Sequence, residues 1–167
     1  MILLVALGAA HAQTDSARTP MHRYAPAVGL DVGYGWRSGT GEHGPDLAVM
    51  YRDALGTIDL EAILYQRWFN NDTYSLGHFG FGFGFLVFMP GMFDHVSGRA
   101  GLEPKIGVDF TVWTTTLGIG IPVGAEYYLP LVASWDASLG ASVEPQFNLN
   151  TDKNTVVFDL RIGIRYH

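Results

Sequence analysis

His95-Val96-Ser97 places a histidine two residues from a serine hydroxyl, and Asp109 lies on the strand expected to follow. A histidine that polarises a serine Oγ, oriented by an acid, makes an activated nucleophile. The triplet falls mid-chain in an expected turn, with Gly98 next. The other histidines (His11, His22, His43, His78 and His167) have no metal-ligand spacing, and no metal site is expected. With no cysteine in the chain, disulfides, thiolate zinc sites and thiol nucleophiles are excluded. Gly80, Gly82 and Gly84 suggest a phosphate loop only superficially, because no helix follows them. No cofactor is implied. The larger chemically active set is charged: Asp31, Arg37, Arg52, Asp59, Glu61, Arg67, Glu103, Lys105, Asp109, Glu126, Asp136, Glu144, Asp159, Arg161 and Arg165. What these groups do depends on where they point.

The elements that position them alternate with period two. Val156, Phe158, Leu160, Ile162, Ile164 and Tyr166 occupy one parity, and Val157, Asp159, Arg161, Gly163, Arg165 and His167 the other. Successive side chains of a strand face opposite ways, so this segment has one apolar and one polar face. Val28, Leu30, Val32, Tyr34 and Trp36 repeat the pattern, as do Phe79, Phe81, Phe83 and Phe85 against three glycines. Further alternating runs lie at 105–112, 117–124 and 135–144, with weaker ones at 46–53 and 57–69. No useful helical period follows residue 20. The chain is all-β. Turns are expected at 38–45, 53–56, 70–72, 114–116, 129–130 and 148–154, with a long connection from 89 to 101. They divide the chain into about eight antiparallel strands. Pro122 has no N–H for a ladder, so a bulge or irregularity is expected at 121–124.

The N-terminus reads as an address. An apolar run from Ile2 leads to Ala10-His11-Ala12, the small-x-small pattern of a signal peptide, with cleavage expected after Ala12. No Lys or Arg precedes the run, as though its start were truncated. Residues 1–12 are therefore assigned as signal peptide, 13–25 as an N-terminal periplasmic segment and 26–167 as the barrel.

Alternation alone does not say which face meets water. A lipocalin-like barrel turns its apolar face inward, and a membrane barrel turns it to lipid. A water-exposed face should be rich in lysine and glutamate, but the whole chain has two lysines, Lys105 and Lys153, and 16 % charged residues against about 25 % in an average soluble domain. The polar parity is instead glycine, serine, threonine and alanine with single charges, which suits the narrow interior of eight strands. Those charges should form a ladder of Arg–carboxylate pairs, since isolated buried ions cost several kcal/mol. Arg161, Asp159 and Asp31 form one expected cluster. On the outer parity, Tyr34, Trp36, Tyr51, Trp68, Tyr127, Trp135, Phe147, Phe158 and Tyr166 are expected to form aromatic girdles. The net charge of −6 argues against nucleic acid as a partner.

The signal pattern, the amphipathic strands, the Phe-Gly alternation and the terminal strand through Tyr166 together resemble the small outer-membrane β-barrels, such as the OmpA transmembrane domain, OmpX and the opacity-type proteins. The resemblance implies a closed up-and-down barrel in the outer membrane of a Gram-negative bacterium, with both termini periplasmic. The loops at 38–45, 70–73, 114–116 and 148–154 would then lie outside. It also implies outer-membrane lipids and the barrel-assembly machinery as partners, the latter through the C-terminal strand. In the family the last residue is commonly aromatic, and here His167 follows Tyr166. The leading reading of function is a non-enzymatic barrel with a structural or interaction role and a charge-plugged lumen. An alternative is OmpW-like transport of a small or hydrophobic solute, with Ile63 and Tyr65 as lining. A third is the barrel deacylases of lipid A, whose His-x-Ser is followed by Asn near the C-terminus, unlike His95-Val96-Ser97-Gly98.

Overall fold

A computed structural model describes residues 26–52, 58–70, 73–76, 78–88, 95–109, 113–132, 134–150 and 154–167. The expected signal peptide and the segment to residue 25 lie outside them, as does the turn at 53–56. The strands are β1 (Ala27–Arg37), β2 (His43–Arg52), β3 (Ile58–Asn70), β4 (Thr73–Leu76), β5 (His78–Phe88), β6 (Val96–Asp109), β7 (Thr114–Gly120), β8 (Val123–Val132), β9 (Trp135–Asn148) and β10 (Thr155–Tyr166).

Ten segments make eight strands of one antiparallel up-and-down sheet. Both β4 and β5 follow one register along β3, with Arg67 opposite Leu76 and Ile63 opposite Gly80. Likewise β7 and β8 share one register against β6 and another against β9. β10 pairs with β9 on one side and β1 on the other, from Val28↔Tyr166 to Arg37↔Val157, so the ladder runs round a ring. A ring leaves no edge strand with unpaired backbone groups.

Three expectations about boundaries need correction. Asp109 lies opposite Thr114, so the reversal expected at 114–116 comes before Thr114, and Trp113 just ahead of β7 has φ 54°, a region non-glycine residues rarely adopt. Thr114, Thr115 and Thr116 are already in β7. No turn forms at Leu129-Pro130; β8 continues to Val132, with a register shift between Pro130 and Val132. The long connection expected up to residue 101 ends sooner, because β6 begins at Val96. The irregularity expected at 121–124 is present: the strand is interrupted at Ile121 and Pro122, without a bulge. Glu103↔Gly120 and Ala100↔Val123 belong to the same register. Ile121 N–H still donates to the Pro145 carbonyl at 3.0 Å, and Gly101 N–H to the Pro122 carbonyl at 2.9 Å. Proline's fixed φ is tolerated in extended backbone, so only its own missing donor breaks the ladder.

A true bulge lies elsewhere. The register of β2 against β3 shifts between Leu47 and Ala48, which face Tyr65 and Ile63, so Leu64 is the extra residue. Two residues then oppose one, and the side-chain parity of β3 reverses beyond it.

The interior is polar and the exterior apolar. Asp31, Arg52, Glu61, Glu103, Lys105, Glu144, Asp159 and Arg165 are buried, while Val32, Leu139, Leu160 and Ile162 are more than half exposed. Glycines on the inner parity make room for long charged side chains. A Cβ on Gly29 would sit 2.5 Å from Arg165 Cδ, and one on Gly163 2.5 Å from Arg165 Nη1. Gly82 lies as close to Glu103 Cγ, and Gly33 is 2.8 Å from Arg161 Cγ by the same measure.

Candidate functional site

The lumen is filled in layers. At its centre, Arg161 on β10 reaches three strands: its guanidinium pairs with Asp46 at 2.9 Å, with Glu61 and with Asp159. Glu61 also takes Arg99 from β6, whose Nη2 lies 3.6 Å from Glu103. Lys105 then bridges Glu103 at 3.2 Å and Glu144 at 2.5 Å. Gln146 donates to Glu144 at 3.1 Å. Each ion is thus shared, which is the condition under which charges survive away from water.

Towards the end that carries both strand termini, Arg165 grips Asp31 through both amino groups, one contact at 3.0 Å, and also Glu126. The Tyr128 hydroxyl donates to Glu126 at 2.7 Å and meets Arg52, whose guanidinium lies 5.1 Å from the tyrosine ring. His167 turns inward, 2.8 Å from Asp136. At the opposite end, Arg37 lies 4.5 Å over the Trp68 ring, pairs with Glu42 at 2.7 Å and donates to Gln146 at 3.2 Å.

Of the charges assigned to the lumen, Asp31, Arg37, Arg52, Glu61, Glu103, Lys105, Glu126, Asp136, Glu144, Asp159, Arg161 and Arg165 are on the inner face. The side chains of Asp59 and Asp109 lie outside the described residues. Arg161 and Asp159 meet, but Asp31 belongs to the Arg165 cluster instead. Arg67 does not point inward. The bulge at Leu64 reverses the parity, so Arg67 shares the outer face with Phe69, 5.5 Å from that ring. The same reversal corrects two aromatics. Trp68 is 1 % exposed inside the lumen rather than in a girdle, and Tyr65, 37 % exposed, faces outward rather than lining the lumen. Ile63, before the bulge, is buried on the inner side.

The other eight girdle residues are exposed on the outer face. Trp36 pairs with Phe158 toward the loop end, and the Trp135 ring lies tilted 5.0 Å from that of Tyr166 at the terminal end. The His95-Val96-Ser97 triplet does not assemble a dyad. Ser97 is buried on the lumen side, whereas the His95 ring packs 5.9 Å from outward Tyr127. Among the described residues no cluster of acids and histidines is arranged to hold a metal ion.

Comparison with solved structures decides the architecture. The crystal structure of Neisserial surface protein A matches with a TM-score of 0.53 and 17 % identity, covering 85 % of this chain and 96 % of that one. The N-terminal β-barrel domain of Pseudomonas aeruginosa OprF matches with a TM-score of 0.59 and 15 % identity, over 84 % and 97 % of the two chains. Both are small eight-stranded outer-membrane β-barrels. The chain has that fold. No protein-family model and no curated protein matches the sequence.

Several lumen residues of this barrel were not singled out in the sequence. Asp46 stands behind Pro45, which reads as a loop residue, although Asp46, Ala48, Met50 and Arg52 share one parity. Arg99 falls in the segment assigned to a connection, yet Ser97, Arg99, Gly101, Glu103 and Lys105 alternate without a break. That alternation was the available signal. The same alternation puts Tyr128 on the parity of Glu126 and His167 on that of Arg165.

Proposed function

We propose that the chain is an integral protein of a bacterial outer membrane, with a structural or interaction role carried by its loops and lipid-facing surface, and a lumen closed by its own charges. The observation that carries this reading is the inversion of faces. Val28, Leu30, Val32, Leu60, Leu102, Ile106, Leu139, Leu160, Ile162 and Ile164 are each at least 40 % exposed around the ring, while the charges lie within it. A soluble monomer rarely exposes a contiguous apolar patch beyond a few hundred Å². A lipid-facing apolar band flanked by aromatics is the exterior of a membrane barrel.

With an even number of strands, both termini fall on one side, taken as periplasmic, and the reversals at 38–42 and 149–154 lie on the other. Strand β10, with Phe158 and Tyr166 outward, is then the segment offered to the barrel-assembly machinery. The Arg161 and Lys105 networks, which cross the lumen from β10, β6, β3 and β9, support the plugged reading over the transport one. Refolding into lipid vesicles from urea tests the reading: it predicts a folded form whose gel mobility changes on boiling. A monodisperse monomer that stays soluble without detergent contradicts it.

A further inference from the structure

Among the described residues, Arg67 is the one charged side chain on the outward face of the strands. It is there because the Leu64 bulge reverses the parity of β3. An arginine facing lipid costs about 2–4 kcal/mol at the bilayer midplane but about 0–1 kcal/mol near the interface. Arg67 is three residues from the end of β3, at the level of the loop-side aromatics. Around it runs an outward aromatic row. Its guanidinium lies 5.5 Å from the Phe69 ring, and Phe69 lies opposite His43 with ring centroids 6.2 Å apart. The Tyr34 hydroxyl is 2.6 Å from His43 Nδ1, and Trp36 is 5.0 Å from Tyr34.

We infer that this outward patch on β1, β2 and β3 binds the phosphate of an anionic lipid headgroup in the leaflet at the loop end. The inference rests on the membrane reading above. A guanidinium is the side chain suited to phosphate, offering several donors in a planar fork. The aromatic row lies at headgroup depth, with Tyr34 and His43 contributing further polar atoms beside apolar rings.

The test uses the full barrel in phosphatidylcholine bilayer discs doped either with lipid A or with lipid A whose phosphates have been removed. Native mass spectrometry then counts the retained lipid. The wild-type protein is expected to retain the phosphorylated form about tenfold better, the scale of one hydrogen-bonded charge. Arg67→Gln should abolish that preference and Arg67→Lys should keep part of it. Trp135→Phe, at the opposite rim, should leave it intact. Equal retention of both forms by the wild type, or an unchanged preference in Arg67→Gln, overturns the inference while the barrel still inserts. A chain that never enters the discs contradicts the membrane reading itself.

Discussion

The middle of the lumen and its loop end hold their arginines in different ways. Arg161 lies among three carboxylates on three strands, Asp46 on β2, Glu61 on β3 and Asp159 on its own β10. Arg37 lies at the rim, over an indole ring, with Glu42 from the adjoining turn and the Gln146 amide among its partners. Charge at the centre is neutralised by charge: the carboxylates around Arg161 are at most 5 % exposed, against 22 % for Glu42 at the rim, so they depend on the cation rather than on water. At the rim, water and the Trp68 face share the task, so each contact matters less. The same residue type should therefore differ several-fold in its importance over the length of one barrel.

Arg161→Met should produce the larger effect. It leaves Asp46, Asp159 and one side of Glu61 without their common cation, and breaking a buried pair in this way costs about 3–5 kcal/mol. Urea unfolding of the barrel in lipid vesicles, followed by tryptophan fluorescence, measures it. A loss below that of a rim substitution would break the comparison. Arg37→Ala should cost about 1 kcal/mol, the scale of a part-buried rim pair plus a cation–π contact. It should also shift the Trp68 emission, since the guanidinium leaves the ring face. An unchanged spectrum would mean that the rim contact is not formed in the bilayer.

The fold was readable wherever alternation ran unbroken, as in β10, where twelve residues keep one parity from Thr155 to Tyr166. In β3 the same rule fails after Leu64. One inserted residue moved Arg67 outward and Trp68 inward, and nothing in the local composition announces a bulge whose cause lies in the pairing with β2. Prolines misled in the other direction. Pro45 and Pro130, which read as turn residues, both lie within strands. The inward charges were legible as a set but not as pairs. Which carboxylate meets Arg161 depends on the stagger between strands, and that stagger follows from ring closure rather than from any one segment.

The central claim is that the barrel's own charges close its lumen. Planar-bilayer recording of the refolded wild-type protein tests it most directly. The ion network bridging β2, β3, β6, β9 and β10 predicts a quiet baseline, with no stable single-channel steps. Reproducible, long-lived steps from the purified wild-type barrel would show an open path through the lumen and contradict it.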